Sequence, residues 1–116
     1  MAEKATAQEF DILILGGGSG GYAAALRSVE LGFSVGLIEK GKLGGTCLHN
    51  GCIPTKALLH SAEIAENAKT ASKYGINATF DSIDMTAVNS YKDNIIAGKF
   101  RGLQGLIKSK GITVIE

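Results

Sequence analysis

The sequence predicts an α/β fold built on a parallel β-sheet. Three observations support this prediction: a short apolar run that ends at a cluster of glycines, an alanine-rich helical segment directly after it, and a second short apolar run that ends at an acidic residue. A strand, a crossover helix and a second strand in this order form a βαβ unit, whose two strands lie parallel in one sheet.

The first predicted strand, residues 10–15, reads FDILIL and is typical of a strand buried on both faces. A helix is predicted over residues 22–31, and Gly32 ends it. The second predicted strand, residues 34–39, reads SVGLIE. Together these segments make a unit of about 30 residues, the length that a dinucleotide-binding βαβ unit requires.

A glycine motif lies between the first strand and the helix. Gly16, Gly18 and Gly21 match G-x-G-x-x-G, in which the glycines allow a tight turn, close approach to a pyrophosphate, and close packing of helix on strand. The phosphates would bind the free N–H groups at the helix start, where Ser19 lies. Glu39 ends the second strand, where an acid can accept hydrogen bonds from a ribose. The alternative, a flexible GGGSGG linker, does not explain the flanking strand and helix.

Both cysteines of the chain, Cys47 and Cys52, lie in one short stretch with its only proline. In a regular helix, residues at this spacing would lie roughly 8 to 9 Å apart, whereas a disulfide needs Cα atoms within about 4.4–6.8 Å. A bond between them therefore requires a loop-to-helix junction at Cys47 or a distorted helix. Gly51 and Pro54 suit such an irregularity, and we expect a regular helix to begin near Pro54.

We predict that this cysteine pair is redox-active. So small a loop would stabilise the fold by only about 2 kcal/mol, whereas a helix N-terminus and Lys56 favour a reactive thiolate. A dithiol favours FAD over NAD at the glycine motif, because a flavin can accept electrons from thiols. Two alternatives stay open on residue types alone: two unrelated reduced cysteines, and a zinc site with His49 and His60, which lacks the usual second ligand pair.

The rest of the chain predicts an antiparallel αα-hairpin and a third strand. One helix is predicted over residues 55–73 with Gly75 after its end, and residues 76–83 are irregular. Asp84 is the predicted N-cap of a long helix that reaches about Lys108. Three glycines within that helix suggest close packing: Gly98, Gly102 and Gly105. Gly111 ends the helix, and residues 112–116, ITVIE, form the third strand.

Composition excludes several classes of protein. The net charge of +1 does not favour binding to nucleic acid or to an anionic membrane surface. The sequence contains no apolar run long enough to span a membrane. Residues 1–9 are polar and lack the apolar core of a secretory signal, so we predict a mobile tail on a cytoplasmic protein.

The stretch GGTCLHNGCIPTK, residues 44–56, resembles the redox motif of the flavin-dependent disulfide reductases. Leu48, Ile53 and the following residues 57–59 resemble the dihydrolipoamide dehydrogenase branch more than glutathione or mercuric reductases. The resemblance extends over residues 10–116. It implies the N-terminal half of a Rossmann-like FAD-binding domain that is incomplete, since the later strands, the NAD domain and the dimerisation domain with its histidine–glutamate pair are absent.

The resemblance also implies a mechanism. Dihydrolipoamide would attack Cys47, expected to be the more exposed sulfur, and leave Cys52 as a thiolate beside FAD, from which electrons pass to NAD⁺. Lys56 would lie near the flavin. Further cofactor contacts would come from the loop after the second strand and from the first cysteine: Lys40, Gly44, Gly45, Thr46 and Cys47.

The implied partners are the lipoyl domains of 2-oxoacid dehydrogenase complexes, which present dihydrolipoamide, and a second subunit in a homodimer. The 116-residue chain by itself is expected to be inactive, because the hydride acceptor site and the proton relay lie outside it. The alternatives are another flavin disulfide reductase and a dinucleotide-binding module without catalysis.

Overall fold

The computed structural model describes residues 7–116. The predicted tail at residues 1–9 therefore lies mostly outside the described residues, and residues 7–9 are exposed and belong to no helix or strand. The chain divides into two compact units, one made of the segment up to Gly44 with Leu103–Glu116, the other of Gly45–Gly102. The elements are, in order, β1 (Ile12–Leu15), α1 (Ser19–Glu30), β2 (Val35–Ile38), α2 (Gly45–His49), α3 (Cys52–Thr70), a 3₁₀ helix (Ala71–Tyr74), α4 (Met85–Ser109) and β3 (Thr113–Ile115).

The first unit contains a three-stranded parallel sheet in the order β1-β2-β3. Ile12 pairs with Val35, and Gly36 pairs with Thr113, so β2 is the central strand. The side chain of Leu37 is completely buried at the centre of β2. The predicted α/β architecture, with its βαβ unit and third strand, is confirmed, and each strand is two residues shorter than predicted.

The prediction that the first strand is buried on both faces is wrong for the described chain. Leu13 and Leu15 are 58% and 85% exposed, whereas Ile12 and Ile14 are half-buried. The reason is that β1 lies at the edge of the described sheet and α1 packs on one of its faces only. Alternate residues of a strand point to opposite faces, so the second face of β1 stays open.

Helix α1 begins three residues earlier than predicted, at Ser19, with Gly18 as its N-cap. The N–H of Tyr22 donates to the carbonyl of Gly18 at 3.0 Å, so two glycines lie inside the first turn despite their low helix propensity. Helix α1 ends at Glu30, one residue before the predicted end, and Gly32, the glycine predicted to follow it, has a φ of +90° that suits glycine.

The second unit is the predicted αα-hairpin. Val88, near the start of α4, lies with Leu58 and Ala62 of α3 along one apolar groove, and Phe100, further along α4, contacts His49 of α2. Since later residues of α4 meet earlier residues of the partner helices, the two helices are antiparallel.

The predicted N-cap of α4 and the predicted glycine after α3 are confirmed, whereas α3 begins at Cys52, three residues before the predicted start at residue 55. Oδ1 of Asp84 accepts hydrogen bonds from the N–H groups of Thr86 and Ala87 at 2.8 and 3.1 Å, which caps α4. Gly75 has a φ of +76° and ends the 3₁₀ helix that continues α3.

The suggestion that the α4 glycines allow close packing is wrong. An ideal Cβ at Gly98, Gly102 or Gly105 would meet no heavy atom within 4 Å, so no described element packs against them.

Within residues 7–116, no helix is long and apolar enough to cross a membrane.

Candidate cofactor cradle and redox disulfide

The turn after β1 requires two of the three motif glycines for its own geometry. Gly16 has a φ of +100°, a conformation that side-chain-bearing residues rarely adopt, and its N–H donates to the carbonyl of Ile38 at 2.7 Å. An ideal Cβ on Gly21 would collide with the carbonyl oxygen of Gly16. The first turn of α1 therefore lies against the end of β1, as the motif predicts.

Gly18 differs from the other two, because nothing inside the chain requires a glycine there. Its φ is −70°, which any residue can adopt, and an ideal Cβ would meet no heavy atom within 4 Å. The N–H groups of Ser19, Gly20 and Gly21 precede the first bond of the helix. An open backbone beside unpaired N–H groups at a helix start is the arrangement that fits a pyrophosphate.

Gly17 is a site residue that the sequence analysis missed. Its N–H donates to Oε2 of Glu39 at 2.7 Å, and its carbonyl accepts a hydrogen bond from the N–H of Gly44 at 2.8 Å. An ideal Cβ would lie 2.7 Å from Cδ2 of Leu43 and 3.2 Å from Oε2 of Glu39. The unbroken run of three glycines was the available signal, since the motif itself leaves this position free.

Glu39 is held at the end of β2 by two backbone donors. Oε2 accepts from Gly17 and Oε1 accepts from the N–H of Gly41 at 2.8 Å. These bonds, that from Gly17 first, lower the pKa of the Glu39 carboxyl below its ordinary value, and the charge of Lys40 adds to the effect. The carboxylate is thus ionised at neutral pH, and each oxygen keeps a lone pair that can accept a hydrogen bond from a ribose hydroxyl.

The other predicted cofactor residues of the loop after β2 have different environments. Lys40 is exposed, whereas Gly44 is buried and has a φ of +107°. Gly45 begins α2 with a φ of +58°, and Thr46 is exposed on that helix. Two consecutive glycines with positive φ form the sharp turn that leads into the cysteine segment.

Cys47 and Cys52 form a disulfide, with their Cα atoms 4.7 Å apart. The helix is interrupted between them, because α2 ends at His49 and Gly51 has the non-helical angles φ −127° and ψ −106°. An ideal Cβ on Gly51 would lie 3.1 Å from the carbonyl oxygen of Thr46, so the chain turns tightly here. The predicted irregularity is confirmed, and it brings the two cysteines within bonding range.

The two alternative interpretations of the cysteines fail in this structure. Neither cysteine is free. Among residues 7–116, no group of three or more His, Cys, Asp or Glu side chains could hold a metal ion, so His49 and His60 do not complete a zinc site. His60 instead lies on the surface of α3 with Nδ1 at 3.4 Å from Oε2 of Glu63.

The expectation that Cys47 is the more exposed cysteine is wrong. Cys47 is half-buried and Cys52 is exposed. The reason is local: Cys47 lies on α2 against the tight turn at Gly51, whereas Cys52 is the first residue of α3.

The start of α3 provides the electrostatics expected for a reactive sulfur. The first bond of this 19-residue helix runs from the N–H of Thr55 to the carbonyl of Gly51 at 3.0 Å, so the N–H groups of Cys52 and Ile53 precede it. Such a helix end stabilises a thiolate. Lys56, exposed and four residues after Cys52, lies on the same side of the helix.

The predicted site residues thus form two groups. The cradle, namely Gly16, Gly18, Ser19, Gly21, Glu39, Lys40 and Gly44, belongs to the first unit, and Gly45, Thr46, Cys47, Cys52 and Lys56 belong to the second. Each group is ordered within its own unit, and their approach to one cofactor stays a prediction.

Comparison with known proteins agrees with this combination of features. The model of the pyridine nucleotide-disulphide oxidoreductase family matches residues 10–114. Dihydrolipoyl dehydrogenase of Bacillus subtilis is 44% identical over 108 residues, which are 93% of this chain and 23% of that protein. The mitochondrial dihydrolipoyl dehydrogenase of Pisum sativum is 44% identical over 93% of this chain and 22% of its own length. Dihydrolipoyl dehydrogenase of Chlamydia muridarum is 45% identical over 94% of this chain and 23% of its own length. The chain therefore spans less than a quarter of the length of these relatives.

Proposed function

The chain belongs to the pyridine nucleotide-disulphide oxidoreductase family, and on that basis we propose that it is the FAD-binding, disulfide-bearing part of a longer dihydrolipoyl dehydrogenase. In this proposal residues 10–116 are the first part of the FAD domain, and NAD binds to another part of the protein. One observation is the main support. A glycine turn whose acid, Glu39, is fixed by a backbone hydrogen bond is followed along the chain by a disulfide that spans a helix break.

The cradle has the chemistry to hold FAD. The free N–H groups at the start of α1, with Gly16, Gly18, Ser19 and Gly21, would bind the pyrophosphate, and Glu39 would bind the adenosine ribose. Further contacts would come from residues that follow along the chain: Lys40, Gly44, Gly45, Thr46, Cys47 and Lys56. When bound, FAD supplies a two-electron acceptor for the protein dithiol and a donor for NAD⁺.

The protein's own chemistry is thiol–disulfide exchange. A thiolate of dihydrolipoamide attacks Sγ of Cys47, the bond between Cys47 and Cys52 breaks, and Cys52 leaves as a thiolate. The second substrate thiol then attacks the substrate sulfur of the mixed disulfide and expels Cys47. The substrate leaves as the cyclic disulfide, and its two electrons remain on the protein as the Cys47–Cys52 dithiol.

We assign the attack to Cys47 because of the leaving group, since exposure does not favour it. Exchange is faster when the departing thiol has the lower pKa. Cys52 is the first residue of α3, where the helix end and the nearby Lys56 stabilise a thiolate. Attack on Cys47 therefore expels the sulfur that is better able to carry the charge.

The proposal extends to the partners of the whole protein. Dihydrolipoamide would be presented by lipoyl domains of 2-oxoacid dehydrogenase complexes. A homodimer would supply the acid/base histidine from its partner subunit, and the protein would act in the cytoplasm. The 116-residue chain alone would then bind dinucleotide at most and would not reduce NAD⁺.

The decisive experiment measures NAD⁺ reduction by dihydrolipoamide with the full-length protein that contains this chain. We expect flavin absorbance after purification, and we expect Cys47→Ser and Cys52→Ser each to lower turnover below about a thousandth of wild type while flavin is retained. Cofactor-free protein, or full turnover in either variant, would refute the proposal.

A second candidate is the reverse exchange, in which the Cys47–Cys52 dithiol, reduced by a reduced nicotinamide through FAD, gives its two electrons to an oxidised substrate such as glutathione disulfide or mercuric ion. Comparison of the full-length protein's kcat/KM for dihydrolipoamide, glutathione disulfide and mercuric ion separates these possibilities. A higher kcat/KM for either of the last two, measured with a reduced nicotinamide as the electron donor, would change both the substrate and the direction of electron flow, with Cys47 and Cys52 still the exchanging pair.

A further inference from the structure

We infer that His49 is a positioning residue for the redox pair: through its ring contact with Phe100 it holds Cys47 within reach of Cys52 while the disulfide is open. This inference depends on the proposed redox cycling of the pair, because a permanent disulfide would need no such support.

The need for an additional anchor follows from the size of α2. Helix α2 has five residues and contains Cys47, and a helix of that length does not persist by itself. In the oxidised state it is held by the disulfide, by the buried side chain of Leu48 and by the ring of His49. Reduction removes the first of these anchors at the moment when Cys47 must stay in place.

The contact between His49 and Phe100 is suited to hold α2 in place when the disulfide is open. The two ring centroids lie 5.1 Å apart with an interplanar angle of 74°, an edge-to-face arrangement that stabilises beyond simple burial. Phe100 belongs to α4, a helix of 25 residues, and both side chains are half-buried. The contact therefore fastens the short α2 to a long, regular helix of the same unit.

This arrangement has a measurable consequence for the cysteine pair. Two thiols that are held close together form a disulfide at a higher effective concentration than two that separate on reduction. Loss of the ring contact should therefore shift the equilibrium toward the dithiol, by about two- to tenfold for an aromatic pair of this geometry.

The test equilibrates the full-length protein with buffers of reduced and oxidised dithiothreitol, alkylates the free thiols and quantifies Cys47 and Cys52 by mass spectrometry. We expect His49→Ala and Phe100→Ala each to shift the equilibrium toward the dithiol by about two- to tenfold. The double variant should show a shift similar to that of either single variant, because both substitutions remove the same contact. His49→Phe preserves two aromatic rings and should retain most of the wild-type equilibrium.

The matched control is His60→Ala, which removes a histidine exposed on α3 whose partner is Glu63. We expect no change in the equilibrium for this variant. A general loss of stability would lower the unfolding midpoint without moving the equilibrium between thiols, so both are measured for each variant.

An unchanged equilibrium in His49→Ala, or equal shifts in His49→Ala and His60→Ala, would overturn the inference. If His49→Ala fails to fold, Phe100→Ala and His49→Phe give the same decision. The assay contains neither lipoamide nor NAD⁺, so failure of the substrate proposal leaves this result intact. Conversely, if wild-type protein oxidises dihydrolipoamide but His49→Ala leaves the thiol equilibrium unchanged, only the role of His49 is rejected and the proposed function stands.

Discussion

Oε2 of Glu39 accepts a hydrogen bond from the backbone N–H of Gly17 at 2.7 Å, which joins the end of β2 to the turn after β1. Gly17 also accepts a hydrogen bond from Gly44, so one glycine connects the acid, the glycine turn and the loop that leads toward the cysteines. The acid that is proposed to bind the ribose is thus held in place by hydrogen bonds from the chain itself. The predictions below test this arrangement and the proposed binding of FAD.

Glu39→Gln should weaken FAD binding by about tenfold or more. The amide offers one acceptor oxygen in place of two and carries no charge, so either Gly17 or Gly41 loses its partner and the ribose loses an ionised acceptor. The dissociation constant of FAD from the apoprotein, measured by quenching of flavin fluorescence, checks this. Glu63→Gln, at an exposed position of α3, is the control and should leave the constant unchanged.

The Glu39 carboxyl should also make stability depend on pH in one direction. Its pKa is lowered in the folded protein by the bonds from Gly17 and Gly41, so its contribution is complete above the ordinary value of 4.5 and is lost as the pH falls through the lowered folded value. The difference in unfolding midpoint between wild type and Glu39→Gln should be constant from neutral pH to 4.5 and shrink below it. A difference that grows on acidification would contradict the assigned hydrogen bonds.

Gly21→Ala should destabilise the protein by about 1–3 kcal/mol, because its Cβ collides with the Gly16 carbonyl and forces α1 away from β1. Gly20→Ala is a close control in the same turn, where an added Cβ meets nothing within 4 Å. Alanine has the better helix propensity, so this second change should stabilise by up to about 1 kcal/mol. The free energy of unfolding of both variants, measured by denaturant, tests this prediction. Equal changes in the two variants would show that Gly21 is not tightly packed.

Gly18→Ala should separate stability from cofactor binding. The backbone of Gly18 suits alanine and the space around it is open, so the unfolding midpoint of the apoprotein should stay near that of wild type. The added methyl group would project where the pyrophosphate approaches, and FAD affinity should fall at least about tenfold. Unchanged affinity would mean that the phosphates bind elsewhere.

Much of this molecule could be predicted from local patterns. The alternation of apolar runs and glycines predicts the βαβ unit, and Asp84 and Gly75 predict helix ends, because caps depend on neighbouring backbone groups. The spacing of Cys47 and Cys52 predicts the helix break on the condition that the two are bonded, since a disulfide and a regular helix are incompatible there.

Most of the features that the sequence did not predict depend on which residues pack together in the folded chain. The early start of α1 depends on Gly21 packing against Gly16, and the role of Gly17 depends on Leu43 and Glu39, which lie more than 20 residues away. The exposure of Leu15 depends on what covers β1, and apolar composition alone does not reveal that. The exposure of Cys52, by contrast, has a local cause, since Cys52 is the first residue of α3.

We propose that Cys47 and Cys52 cycle between disulfide and dithiol in response to a substrate dithiol. The most direct measurement treats the oxidised full-length protein with dihydrolipoamide in the absence of NAD⁺, traps free thiols with an alkylating reagent and examines the peptide that contains both residues. We predict that this peptide is unlabelled before substrate and labelled after it. A peptide that dithiothreitol opens but dihydrolipoamide leaves unlabelled would contradict the account.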